Sequence, residues 1–227
     1  MKLLLFDIDG TLIKGNRAGR LALAAALVEV FGTGGILDNY DMGGKTDLRI
    51  VTDVLADWVP PAAIEAKLPE LTAAMARHAN TIYPERGIIS CPGVPELLGA
   101  LRGNKGVILG LLTGNVEATA SLKLSAAGID PQQFVVRAYG SDDINRNNLP
   151  QLAMRRATEL TGATMTGDNV VVIGDTAADI ECARAGGARA VAVATGWHGA
   201  NALAACNPDH LFLDLSDTES VLQVLLA

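Results

Sequence analysis

Two apolar runs in this chain each end in a pair of aspartates, and few folds can accommodate that pattern. Leu3-Leu4-Leu5-Phe6 passes into Asp7-Ile8-Asp9-Gly10-Thr11, and Val170-Val171-Val172-Ile173 passes into Gly174-Asp175-Thr176-Ala177-Ala178-Asp179. A short continuous apolar run bounded by turn residues reads as a strand buried on both faces, so the carboxylates leave at the strands' carboxyl ends. Like charges about 4 Å apart repel by roughly 1 kcal/mol in water and about 4 kcal/mol at an effective dielectric near 20. A divalent cation between them relieves that repulsion, and strand-end carboxylates of one parallel sheet can converge on one ion.

The rest of the chain supplies such a sheet. From Val107 onward, short β-rich runs alternate with helical segments, as successive βα units do. Strands are expected from Lys2 to Phe6, Val107 to Leu112, Phe134 to Val136, Val170 to Ile173, Ala188 to Ala194 and His210 to Leu213. Helices from Val116 to Ala127, Leu149 to Thr161 and Ala177 to Ala185 each meet a glycine (Gly128, Gly162, Gly186), the residue favoured where a helix ends. The expected class is α/β, a doubly wound parallel sheet with a Rossmann-like core. Between Asn16 and Ile89 the rhythm breaks: Arg17 to Phe31, Thr46 to Trp58 and Ala62 to Ile82 read as helices with no strand between them. The predicted division is a core of residues 1–15 and 90–227 and a helical insert of residues 16–89, placed to act as a lid over the carboxylates.

Composition narrows the partners. With 227 residues, 49% hydrophobic and 19% charged, the chain can bury a full core and carries no disordered tract. A net charge of −7 disfavours nucleic acid and anionic membrane, which need a cationic face. Cys91, Cys182 and Cys206 are odd in number and lack metal-site spacing, which points to a reducing, cytoplasmic setting. The four-residue apolar run before Asp7 is too short for a secretory or membrane-spanning segment.

Two further features fall at predicted strand ends: Thr113-Gly114-Asn115, and a basic residue in Asp143-Ile144-Asn145-Arg146-Asn147-Asn148 before Leu149. With the two acidic clusters, this ordered set resembles the haloacid dehalogenase (HAD) superfamily, in its phosphoglycolate-phosphatase-like branch with a helical (C1-type) cap. The resemblance covers nearly the whole chain. It implies a phosphatase acting on a small phosphorylated metabolite, with Asp7 as the nucleophile that forms an aspartyl-phosphate and Asp9 as general acid and base. It also implies Mg²⁺ held by Asp7, the Asp9 carbonyl and Asp175, with Asp179 one helical turn on, orienting the basic residue or a metal-bound water. Thr113, Gly114 and Asn115 would hold phosphate oxygens, with Gly10 and Thr11 in the turn beside them. Arg146 is the candidate basic residue, although no Lys-Pro pair stands there and Arg137 and Lys123 compete for the role. Lys45, in Gly43-Gly44-Lys45-Thr46-Asp47, would reach from the cap toward an anionic leaving group, and Arg17, Arg20, Arg49 and Tyr83 are further candidates to line the cleft.

Dehalogenating members lack the second aspartate, so Asp9 favours phosphate chemistry over carbon–halogen cleavage. A sugar-phosphate mutase on the same core is the nearest alternative. A receiver domain is disfavoured by the large insert and by the late acidic partners. Gly43-Gly44-Lys45-Thr46 lacks the first glycine and the preceding strand of a P-loop. His78, His198 and His210 have no metal or triad spacing.

Overall fold

The computed structural model describes residues 1–227. Strand β1 (Lys2–Phe6) buries Leu4 and Phe6 in one core and Leu3 and Leu5 in another on the opposite face. Each such side chain is worth about 1.5–3 kcal/mol when fully buried, so this run is satisfied only at the centre of a sheet covered on both sides. The two-residue β2 (Ile13–Lys14) pairs antiparallel with β3 (Ile89–Ser90). Between them lie only helices: α1 (Ala18–Phe31), α2 (Asp47–Leu55) and α3 (Pro61–Arg86), with a short 3₁₀ turn at Leu37–Asn39. The chain continues through α4 (Val94–Leu101), β4 (Val107–Thr113), α5 (Glu117–Ala126), β5 (Val136–Tyr139), α6 (Leu149–Thr161) and β6 (Val170–Gly174). It ends with α7 (Ala177–Ala185), β7 (Arg189–Val193), α8 (Ala200–Ala205), β8 (His210–Phe212) and α9 (Thr218–Leu226).

The six long strands form one parallel sheet in the order β5-β4-β1-β6-β7-β8. From β1 the chain winds outward through β4 to β5, then crosses back to β6 on the other side of β1. Helices α4, α5 and α9 cover the face that holds Phe6, while α6, α7 and α8 cover the other. The direction of winding therefore reverses between β1 and β6, and a crevice opens there at the carboxyl ends, where open α/β sheets bind ligands. Phe6 pairs in register with Ile173, and the Asp7 N–H donates to the Ile173 carbonyl at 2.9 Å, so both acidic turns begin at one level.

The insert has a core of its own, in which Leu23 and Leu27 of α1, Ile50 and Val54 of α2, and Leu71 and Met75 of α3 pack together with Val116 from the loop before α5. Three expectations shift. Phe134 packs edge-on against Phe6 from a turn, closed by its N–H on the Pro131 carbonyl, so β5 starts at Val136 rather than Phe134. Helix α3 runs past Pro84 to Arg86, because burial of Tyr83 holds its last turn, and Gly87 then ends it in the left-handed region. After α7 it is Gly187 (φ 70°) that adopts the left-handed conformation, not Gly186. No helix is long and apolar enough to cross a membrane.

Candidate active site

Asp7 and Asp9 leave β1, Asp175 leaves β6, and Asp179 lies in the first turn of α7. Carboxylate oxygens of Asp7, Asp175 and Asp179 lie within 4.8 Å of one another, and all three residues are buried. Arg146, in the 3₁₀ turn ahead of α6, donates from Nη2 to Asp7 Oδ1 at 3.0 Å and also to Asp179 Oδ1. The second oxygen of Asp179 accepts from the Thr176 hydroxyl at 2.6 Å and the Thr176 N–H at 3.0 Å, a capping box at the start of α7. Both Asp179 oxygens are thus occupied within the protein, and its side chain aims Arg146 at Asp7.

Asp175 is arranged differently. Its Oδ1 accepts from the Thr11 hydroxyl at 3.2 Å, while its Oδ2 is buried without a hydrogen-bond partner. A Cβ at Gly10, where φ is 89°, would fall 2.3 Å from that unpartnered oxygen, and one at Gly196 only 1.6 Å away. These glycines keep a cradle open around Asp175. A buried orphan carboxylate oxygen beside two further carboxylates is the donor set that a hard cation with oxygen ligands requires. Asp7 and Asp175 fit a hard divalent cation on these grounds, and the Asp9 carbonyl, which accepts no hydrogen bond within the chain, is a third available oxygen.

Thr113 ends β4 with its hydroxyl buried, accepting from Asn115 Nδ2 at 2.8 Å and from the Asn115 N–H at 3.3 Å. Asn115 Nδ2 also donates to Asp9 Oδ2 at 2.8 Å. Helix α5 begins only at Glu117, so the Asn115 amide serves the Thr113 turn rather than a helix terminus. Lys123, from α5, donates to Asp9 Oδ2 and to Asn115 Oδ1, each at 2.5 Å. The three basic candidates therefore separate. Arg146 holds Asp7, Lys123 holds Asp9, and Arg137 turns away to the Phe134 and Pro131 carbonyls.

A cavity of about 810 Å³ opens over these groups and is lined by Asp7, Asp9, Gly10, Thr113, Gly114, Asn115, Arg146 and Asp175 from the core. From the insert come Arg17, Arg20, Lys45, Asp47 and Tyr83. Thr11 is enclosed beneath Asp175 and does not reach the cavity, so it orients a carboxylate rather than touching substrate. Lys45 lines the cavity, but its ammonium is held by the Asp41 carbonyl and stands 4.3 Å from the centre of the Tyr40 ring. Arg20 is tied to the Leu37 and Tyr40 carbonyls, and Arg49 lies outside the cavity, paired with Asp53 at 2.8 Å.

A family model for haloacid dehalogenase-like hydrolases matches residues 1–187. The chain belongs to that family. A phosphoglycolate phosphatase from Synechococcus elongatus is 29% identical over 96% of this chain and 95% of its own length. Among solved structures, a hydrolase from Pseudomonas syringae superposes with a TM-score of 0.69 at 20% identity, covering 99% of each chain. CbbY from Rhodobacter sphaeroides, in complex with xylulose-1,5-bisphosphate, superposes with a TM-score of 0.70 at 16% identity over 96% of each chain.

In this haloacid dehalogenase-like hydrolase the buried carboxylates crowd one another. Burial pushes the Asp7 carboxyl well above the usual range; Arg146 offsets part of the shift, and Asp179 and Asp9 add to it. Burial and then the neighbouring Asp179 and Asp7 charges raise Asp175 in the same direction. A bound cation would offset the cost of holding both out of water beside like charges.

The insert is also docked onto this turn by a residue that the sequence reading left without a role. The Asp47 N–H donates to the Gly114 carbonyl at 2.7 Å, its Oδ2 accepts from the Val116 N–H at 2.9 Å, and the Thr46 hydroxyl donates to the Ile144 carbonyl at 2.8 Å. A Cβ on Gly114 would stand 2.1 Å from the Lys45 carbonyl oxygen, so only glycine permits this approach. Burial raises Asp47 from an ordinary 3.8 to about 6, with Lys123 and the Val116 N–H opposing. An acid raised in the native state keeps its proton where the unfolded chain has lost it, so stability falls as pH climbs from about 4 to about 6 and stays lower above. Asp47→Asn keeps an acceptor for Val116. It is expected to flatten that fall and to stabilise the protein at pH 7 by at most about 3 kcal/mol. Urea denaturation at a series of pH values checks this, and an Asp47→Asn curve parallel to wild type would contradict it.

Proposed function

We propose that the chain is a Mg²⁺-dependent phosphomonoesterase acting on a small anionic metabolite through an aspartyl-phosphate. The observation that carries this reading is the pairing of two carboxylates in unlike settings on one turn. Asp7 is buried and gripped by Arg146, and Asp9 presents a half-exposed side chain to the same cavity. An Asp7 oxygen attacks phosphorus in line as the ester P–O bond breaks, and Asp9 gives its proton to the departing alkoxide. Water then attacks phosphorus, Asp9 takes the proton back, and cleavage of the bond to Asp7 releases phosphate. Asp7 and Asp175 would hold the Mg²⁺, which when bound would supply neutralisation of the phosphate and carboxylate charge. Arg146 orients Asp7 and meets the phosphoryl group's negative charge, and the Thr113 hydroxyl, with its proton uncommitted, donates to a phosphoryl oxygen. The docked insert covers the cavity and limits entry of stray water.

Phosphoglycolate is the first ester to test. The Synechococcus relative of that name matches nearly end to end, and the cavity includes the exposed cations Lys14 and Arg17, which suit a carboxylate on the leaving group. The cavity's volume also admits a sugar phosphate, which keeps a mutase as the second reading. A panel of phosphate monoesters, including phosphoglycolate and a hexose phosphate, is to be assayed with Mg²⁺ and with EDTA. Free phosphate is expected with Mg²⁺ and at least about 100-fold less with EDTA. An isomeric sugar phosphate formed without free phosphate would favour the mutase. Halide release from a 2-haloacid with no phosphate from any ester would overturn both.

A further inference from the structure

The general acid in this reading is held by a residue from outside the two acidic clusters. Lys123 lies in the buried stripe of α5 formed by Thr119, Ala120, Lys123 and Leu124, and its side chain is 6% exposed against 44% for that of Asp9. Its ammonium meets Asp9 Oδ2 and Asn115 Oδ1, while Asn115 Nδ2 meets the same Asp9 oxygen. Two donors from different elements thus fix Oδ2, whereas Asp9 Oδ1 accepts no hydrogen bond within the protein. One oxygen is clamped; the other has no partner in the protein and lies beside Gly15, which lines the cavity together with Asp9.

We propose that Lys123 is the positioning residue for Asp9: by fixing Oδ2 together with Asn115, it sets Oδ1 where the leaving-group oxygen must receive its proton. The insert takes part in this placement. A Cβ on Gly19 of α1 would fall 2.9 Å from the Lys123 ammonium and 3.3 Å from its Cε, so the first turn of α1 closes directly over the lysine, and an added methyl there would push the end of that side chain aside. Asp47 and Tyr83, also from the insert, line the same cavity as Lys123. Lys123 is therefore enclosed from both sides, and Asp9 is fully positioned only while the insert is seated. A general acid must stand within about 2.6–3.2 Å of the atom it protonates, and misplacement by about 1 Å costs on the order of 100-fold.

The inference rests on the reading of Asp9 as general acid, and the test separates the two. A good leaving group departs without a proton, whereas an alkoxide needs one, so loss of Asp9 positioning alters leaving-group preference and a merely structural loss does not. The measurement is kcat/KM for p-nitrophenyl phosphate and for phosphoglycolate, or for the best alkyl ester of the panel if another is preferred. This constant covers the steps up to phosphoryl transfer to Asp7. For Lys123→Met we expect a loss on the order of 100-fold on the alkyl ester and under about tenfold on the aryl ester. Gly19→Ala, which leaves every charge in place and displaces only the flexible end of the lysine, is expected to shift preference in the same direction by a few-fold; it decides the matter if Lys123→Met does not fold. Asp9→Asn serves as reference and is expected to show the largest selective loss. If Asp9→Asn is selective while both other variants lose equally on the two esters, the Lys123 inference is overturned and the reading of Asp9 stands. If Asp9→Asn itself loses equally on both, the acid assignment fails and takes the inference with it.

Discussion

Asp7→Asn is expected to release phosphate from every ester of the panel at least about 10⁴-fold more slowly than wild type, in the range seen when a nucleophile is removed from a covalent mechanism. The substitution is close to isosteric, and the amide oxygen can still accept from Arg146, so the loss reports chemistry rather than collapse. Stability gives an independent check with a definite sign. Burial and the Asp179 and Asp9 charges raise the Asp7 carboxyl in the native state, so ionised Asp7 weakens the metal-free fold at neutral pH and above. The asparagine variant should therefore melt no lower than wild type in EDTA while losing activity in Mg²⁺. Retained turnover on any alkyl ester would remove Asp7 from the nucleophile's place, and a lower melting temperature would remove the electrostatic account of the site.

The elements that announce themselves locally were legible in the sequence. β1 and α6 have the expected bounds, because Leu3 to Phe6 is apolar on both faces and Gly162 ends α6 in the left-handed region. The convergence of Asp7 and Asp175 was also legible, since strand ends of one parallel sheet share an edge. The division of labour among the cations was not. Arg146 lies 139 residues from Asp7 and Lys123 lies 114 from Asp9, and in sequence each is one basic residue in a loop or a helix. One sign was available, a lone lysine between Leu122 and Leu124 on the stripe that α5 buries. Asp47 was hidden for a different reason. Thr46 caps α2 through its bond from the Arg49 N–H, and an aspartate in a first turn is locally favourable, so nothing called for the long-range bonds to Gly114 and Val116.

The second large effect concerns Arg146, whose guanidinium is shared by Asp7 and Asp179 in a setting where all three side chains are less than a tenth exposed. Replacement by methionine keeps much of the volume and leaves two buried carboxylates facing each other without their cation. Removal of one partner from such a pair typically costs 3–5 kcal/mol, because the remaining charge has lost both water and its counter-ion. Arg146→Met is thus expected to lose about that much stability in EDTA at pH 7, as urea midpoints will report. Two further variants test the cause. Arg146→Met combined with Asp179→Asn removes one of the stranded charges and should recover part of the loss. Arg146→Lys should recover less than wild type, since a point charge cannot span two carboxylates as a planar fork does. Mg²⁺ should narrow the gap between Arg146→Met and wild type, because a cation held by Asp7 and Asp175 screens the same charges. Should Arg146→Met unfold at the wild-type urea concentration in EDTA, the guanidinium is not what keeps Asp7 charged and aimed, and the account of the nucleophile's setting fails with it.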